Sequence, residues 1–132
     1  LASVTALATA DITVMGNVED IRAAYLAAPV FAAPMLVNTG LQNKLLEAMA
    51  LARACVTTPR ALAALGCETG TAVATAEDAA SFAREIQALL TDSTRCTDMG
   101  QEASHIVRSN FTWTAASRHL VALLESQAAP KN

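Results

Sequence analysis

The sequence predicts an α/β domain: a doubly wound parallel sheet of about four short strands, helices on both faces and a helical C-terminus. Three observations carry this. Short apolar runs at 12–16, 30–33, 54–57 and 71–74 alternate with stretches of helical periodicity. Alanine is abundant while aromatic residues make up only 4%, which suits helices packed closely on a sheet better than an all-β sandwich. Helical patterns then follow one another from Ala76 to the C-terminus. Strands separated by helices pair in parallel, and parallel sheets are covered on both faces.

Taken in order, residues 1–10 read ambiguously, as the end of a helix. Ile12 to Gly16 is β-rich and closed by glycine, which predicts a strand. Asn17 is the expected cap of a helix over 18–27, with Ile21, Tyr25 and Leu26 on one face. Val30 to Ala33 is the second strand, stopped by Pro34. A loop leads to a helix running to about Ala52. Ala54 to Thr57 is the third strand, and Arg60 to Leu65 a short helix closed by Gly66. Thr71 to Ala74 is a weak fourth strand. Ala76 to Leu90 is amphipathic, with Phe82, Ile86, Leu89 and Leu90 on its apolar side and Glu77 and Asp78 complementing its dipole. Ser93 or Thr94 opens a helix to about Arg108. Thr114 caps the last, which ends near Gln127, with Phe111 and Trp113 expected to pack it onto the body.

Size and charge narrow the function. The chain has 132 residues, which predicts one domain, 1–127, and a loose tail, 128–132. It does not begin with methionine, which reads as processing or truncation. The net charge is −3 and no basic cluster is present, which argues against a nucleic-acid partner. The longest apolar run, Ala23 to Val37, is short and broken by Pro29 and Pro34, so no transmembrane segment is expected. The odd number of cysteines, Cys55, Cys67 and Cys96, fits reduced thiols in a cytoplasmic protein better than disulfides or a zinc site. No Ser-His-Asp, phosphate-loop or zinc-ligand pattern appears. His105 and His119 stand on separate late helices and read as core or surface residues. Asp20 and Arg22 read as a solvated face.

The stretch Thr39-Gly40-Leu41-Gln42-Asn43-Lys44-Leu45-Leu46-Glu47-Ala48-Met49-Ala50 organises the rest. Thr39 and Gln42 have capping-box spacing ahead of an apolar helix, and Gly40 permits a turn and close approach of another group. From Leu45 the helix is apolar almost all round, which predicts burial on most sides. Glu47 inside that stretch needs a partner or a ligand. A helix start with unpaired N–H groups and a carboxylate one turn further in suits a ligand carrying phosphate and sugar hydroxyls. The bland alternative for Glu47 is a salt bridge to Lys44 or Arg53, or simple exposure. Three loops leave the carboxyl ends of the expected strands, 16–18, 33–40 and 57–65, and ligands of doubly wound sheets bind outside those ends.

Residues Gly40 to Ala50 with Val56-Thr57-Thr58-Pro59 resemble the donor-binding signature of GT-B glycosyltransferases, in the large retaining family four. The nearest likeness is to bacterial sugar transferases of polysaccharide biosynthesis. Flanking anchors are the run Val14 to Tyr25 and Phe111-Thr112-Trp113. The resemblance implies a Rossmann-like, C-terminal, nucleotide-sugar-binding half of a truncated GT-B fold. It implies hexosyltransferase-like transfer of a sugar from a nucleoside-diphosphate sugar to a saccharide or lipid-linked acceptor, with no cofactor and no obligatory metal. The partner it implies is an N-terminal acceptor domain, here missing, so the fragment alone is expected to be inactive, with no catalytic residue identified in it. The location implied is cytoplasmic, peripheral to the inner membrane in the full-length protein.

Residue by residue, the resemblance implies that Glu47, the second glutamate of a Glu-seven residues-Glu pattern, accepts from the ribose hydroxyls. Thr39, Gly40, Leu41, Gln42 and Asn43 face the phosphates and sugar, with Thr39 standing where the pattern often has its first glutamate. Gly16, Asn17 and Val18 lie where relatives contact the nucleobase; an ordinary strand-to-helix turn is the equal alternative. Relatives commonly have glycine at Ala52 and proline at Ala54. An open sheet edge makes a homodimer through that edge a further expectation. Two rival functions stand beside this one. The first is a non-catalytic ligand-binding or receiver-like module, whose acidic cluster and lysine are not legible. The second is a nucleotide-sugar epimerase of the same architecture.

Overall fold

The computed structural model describes residues 2–37, 40–66 and 70–128. Its elements in chain order are α1 (Ala2–Thr5), α2 (Ile21–Leu26), β1 (Val30–Ala33), α3 (Asn43–Ala50), β2 (Ala54–Thr57), α4 (Pro59–Ala63), β3 (Val73–Thr75), α5 (Ala79–Thr91), α6 (Ser93–Asn110) and α7 (Trp113–Ala128). The described strands form a parallel three-stranded sheet in the order β1-β2-β3. The α/β class, the parallel sheet and the helices on both faces are as the sequence predicts; the strand count is lower.

The run 12–16 makes the difference. Thr9 and Ile12 exchange two backbone hydrogen bonds, Thr9 N–H to Ile12 O at 3.0 Å and the reverse at 3.4 Å, closing a local turn. Ile12 and Met15 remain more than half exposed. β propensity needs a neighbouring strand to satisfy the backbone, and none of the described strands pairs with this run.

β2 is buried along its whole length, and its alternation sorts the core into two layers. Cys55 joins Leu45, Ala48, Met49, Leu62 and Val73 on one face, with Phe31 and Tyr25 at the margin. Ala54 and Val56 join Ala74, Phe82, Leu89 and Met99 on the other. The register agrees: Phe31 pairs Cys55 and Cys55 pairs Val73, so all three point one way. α6 serves both layers, since Ala103 belongs to the first and Cys96 and Met99 to the second.

Helix ends show where sequence signals point and where they mislead. Asp78 caps α5 in a reciprocal box with Ser81, and Asp92 caps α6 through Arg95 N–H at 2.9 Å. The Ser81 N–H and hydroxyl hold the Asp78 carboxyl below the usual carboxylate range. Thr58 caps α4, with Pro59 in its first turn. Gly66 closes that segment at φ +63°, as expected of a glycine stop. Three expected caps are corrected. Asp20, not Asn17, caps α2, because its side chain accepts from Arg22 N–H. Thr112, not Thr114, caps α7, accepting from Ala115 N–H at 3.1 Å. Gln42, not Thr39, is the N-cap of α3, and it makes no side-chain capping bond. Two expected apolar contacts also fail: Leu90 is 58% exposed, and Trp113 is 91% exposed, so only Phe111 packs on the core. Cys67, Thr39 and residues 129–132, the greater part of the expected tail, lie outside the described residues.

α3 ends in a Schellman turn: Arg53 N–H reaches Ala48 O at 3.0 Å and Ala52 N–H reaches Met49 O at 2.9 Å. Ala52 at its apex has φ +54°, where a Cβ crowds the following carbonyl. Ala52→Gly is therefore expected to stabilise the fold by about 0.5–1 kcal/mol, part of the strain being offset by the freer unfolded chain. A chemical-denaturation midpoint checks this; an unchanged or lower midpoint contradicts it.

Candidate functional site

The carboxyl ends of the strands are held together by two threonines. Thr57 Oγ1 donates to Ala33 O at 2.8 Å and Thr58 Oγ1 donates to Met35 O at 3.1 Å. Both are buried, so these bonds fix the exit of β1 against the end of β2. The loop leaving β1 therefore starts from a rigid point and returns through Gly40, at φ +118°, into α3. Gln42 Nε2 donates back to Gly40 O at 3.3 Å. At the opposite end α6 crosses the entrances of β1 and β2. Ser104 Oγ donates to Ala50 O and Cys96 Sγ lies 3.8 Å from Pro29 O. The sheet is thus braced at its amino end, and the loops at its carboxyl end face outward.

α3 is amphipathic rather than buried all round. Leu45, Ala48 and Met49 are buried, while Asn43, Lys44 and Glu47 are exposed. These last three lie at i, i+1 and i+4, with Asn43 and Glu47 stacked one turn apart on the outer face. Glu47 is in neither ion pair found among the described residues, which join Arg22 to Asp20 and Arg95 to Glu85. The alternative of a bridge to Lys44 or Arg53 is therefore not realised. The Asp20–Arg22 pair is a solvated face as expected; the guanidinium holds the Asp20 carboxyl below its usual range, and the carboxylate raises Arg22 in turn.

Glu47 has instead a partner that sequence reasoning missed. Tyr25 Oη donates to Glu47 Oε2 at 2.9 Å, across 22 residues of chain. The Tyr25 ring meets Phe31 edge-on at 5.3 Å, which fixes it between α2 and β1. One carboxylate oxygen is thereby oriented, while Oε1 meets no donor among the described residues. Sequence signalled Tyr25 only as an apolar-face residue of α2; its hydroxyl carried no local pattern.

Partial burial, then the Glu47 carboxylate, push the Tyr25 phenol up to about 12. The sign follows: the stability contributed by the neutral phenol is complete below its ordinary value of 10.0 and is lost as pH rises through about 12. Burial pushes the Cys55 thiol from 9.0 to about 12, so it adds to the same alkaline loss. Tyr25→Phe is expected to leave a shallower decline in stability between pH 10 and 12, carried by Cys55. Denaturation midpoints across that window test it, and an identical slope in the variant contradicts it.

The other expected residues are placed as follows. Gly16, Asn17 and Val18 lie in a largely exposed segment without regular secondary structure that leads into α2, the helix bearing Tyr25. Gly40, Leu41 and Gln42 precede α3 rather than forming its first turn, which begins at Asn43. Leu41 lines a shallow hollow of about 500 Å³ together with Leu46, Phe111 and Trp113. A second hollow of about 570 Å³ opens beside Pro34, Leu36, Thr58 and Phe82. Glu47 lines neither, so it stands on an open face. His105 and Asp11 are exposed, as is His119. Among the described residues no three His, Cys, Asp or Glu side chains are grouped to hold a metal ion, and no helix is long and apolar enough to cross a membrane.

A Rossmann-like α/β domain with loops presented at the strand carboxyl ends is consistent with one half of a GT-B architecture. The chain belongs to the glycosyl transferases of group 1: the model of that family matches residues 1–92. The match takes in the whole sheet, α3 with Glu47, and Tyr25, and it ends where α5 gives way to α6. No curated protein matches the chain.

Proposed function

We propose that this chain is the nucleotide-sugar-binding half of a retaining, family-four glycosyltransferase of bacterial polysaccharide biosynthesis. It binds a nucleoside-diphosphate sugar whose hexosyl group passes to a saccharide or lipid-linked acceptor held by an N-terminal domain. The reaction takes place at the cytoplasmic side of the inner membrane and has no obligatory metal. Glu47 accepts from the ribose hydroxyls through a carboxylate that Tyr25 orients, since two adjacent hydroxyls match two oxygens. Gly40, Leu41, Gln42 and Asn43 offer main-chain N–H groups to the phosphates, aided by the α3 dipole at Asn43, and Thr39, at the position of the pattern's first glutamate, borders the transferred sugar. Gly16, Asn17 and Val18 border the base.

The observation that carries this reading is the placement of Glu47. It is exposed one turn into α3, the helix that follows the loop leaving the carboxyl end of β1, within the stretch matched by the group 1 glycosyl transferase family. It is held by a neutral donor rather than consumed by an ion pair. Acceptor and reacting groups belong to the other half, so the chain by itself binds donor without turnover; sugar transfer by the isolated chain contradicts that.

The test is a thermal-shift comparison of UDP, GDP and inorganic phosphate, with and without a chelator. A ligand at one hundred times its dissociation constant stabilises the folded state by about 2.7 kcal/mol. One nucleotide is expected to raise the melting temperature, with the chelator making no difference and phosphate giving little. Indifference to both nucleotides favours the non-nucleotide module instead.

A further inference from the structure

The bond between Tyr25 and Glu47 has a fixed direction. A carboxylate only accepts, so the proton of the 2.9 Å contact comes from Tyr25 Oη. With that proton committed, Oη has only lone pairs to offer a ligand. The same holds for Glu47 Oε1, which meets no donor among the described residues. The pair therefore presents two neighbouring acceptors and no donor. Neither group is closed off, since Glu47 is exposed and Tyr25 partly so. The phenol is also held in place. Its ring meets Phe31 edge-on at 5.3 Å and packs against the buried cluster that contains Leu45 and Met49.

Two fixed, adjacent acceptors are complementary to two adjacent donors on one ligand. The vicinal hydroxyls of a ribose supply them. Phosphate oxygens do not, because they too only accept and the carboxylate repels their charge. Resting on the reading of Glu47 as the ribose acceptor, we propose that Tyr25 is the second ribose-binding residue. Glu47 Oε1 accepts from one hydroxyl of the diol and Tyr25 Oη accepts from the other. The site then selects an intact diol. A sugar lacking either hydroxyl leaves one acceptor facing a C–H group, and that acceptor is stripped of water without a partner. The two residues are unequal in this scheme. Removing the Tyr25 hydroxyl leaves Oε1 as it was. Removing Glu47 frees the phenol proton, so Oη is no longer bound to act as an acceptor, and both hydroxyl contacts lose their definition.

Titration calorimetry of the whole chain tests this, with circular dichroism confirming that each variant folds. The probes are UDP, 2′-deoxy-UDP and 3′-deoxy-UDP, or the guanosine series if GDP is the nucleotide that stabilises the chain. The wild type is expected to bind each deoxy form at least about threefold more weakly than the ribonucleotide, the worth of one hydrogen bond. Tyr25→Phe keeps the ring against Phe31. It is expected to lose the penalty for one hydroxyl and keep the penalty for the other, whereas Glu47→Ala loses both. Tyr25→Phe with both penalties intact overturns the proposal, because the phenol then touches no ribose oxygen. Tyr25→Phe with both penalties lost overturns it too, since Tyr25 then serves only to hold Glu47. A wild type that binds the nucleotide with no penalty for either deoxy form, or binds neither UDP nor GDP, overturns instead the reading of Glu47 as the ribose acceptor, and this inference falls with it.

Discussion

Gly100→Ala is expected to destabilise the fold by about 3 kcal/mol, where helix propensity alone predicts a gain of about 1 kcal/mol. The sign is the point of the experiment. Gly100 sits in the middle of α6, an 18-residue helix, where alanine is ordinarily the better residue. A Cβ built there lies 2.2 Å from Ala52 O, 2.8 Å from Ala52 C and 3.4 Å from Ala54 N. All three are main-chain atoms of the turn that ends α3 and of the first residue of β2. No side-chain rotation relieves the contact; the helix or the turn must move. Movement is resisted on both sides, since Ser104 is bonded to Ala50 O and Ala54 N–H to Pro29 O. At roughly 4 °C per kcal/mol for a domain of this size, the melting temperature should fall by about 10 °C. Gly100→Val should be worse. An unchanged or raised melting temperature means that α6 does not rest on that turn. Because Ala52 and Gly100 share the contact, Ala52→Gly and Gly100→Ala should not add.

The sheet was legible because burial on both faces leaves its mark in short uninterrupted apolar runs, as in Ala54 to Thr57. The run at 12–16 has the same appearance, but composition records the tendency to pair and not the presence of a partner. Cap positions slipped by two or three residues for a related reason. Asp20 and Asn17, or Thr112 and Thr114, are equally good caps by type, and only the packing of the helix decides between them. Trp113 shows the limit of periodicity. Trp113, Leu120 and Leu124 do repeat at helical spacing, yet spacing defines a face and not what covers it. At the site, Gly40 and Glu47 were visible because they lie within one local motif. The Tyr25 hydroxyl, and the threonines that tether β1, act across 22 to 24 residues and have no local signature.

Glu47→Ala is expected to weaken nucleotide binding by about 10–100-fold, the equivalent of one charge-assisted hydrogen bond at about 1.5–3 kcal/mol. Titration calorimetry with whichever of UDP and GDP stabilises the chain provides the measurement. The fold should tolerate the change. Glu47 is exposed, and its loss costs about 1 kcal/mol through the bond from Tyr25. Glu47→Gln keeps an acceptor for Tyr25 and for one hydroxyl, so it should fall between wild type and alanine. The sugar itself supplies the control. The 2′-deoxy nucleotide should bind the wild type more weakly than the ribonucleotide does, whereas Glu47→Ala should barely distinguish the two. Pyrophosphate, which has no ribose, should bind both proteins alike through the main-chain N–H groups before and at the start of α3. A variant that still discriminates between ribose and deoxyribose locates the hydroxyl contact on another residue. A variant that binds the ribonucleotide as tightly as wild type removes Glu47 from the site, and with it the physical basis for reading this face of α3 as the donor platform.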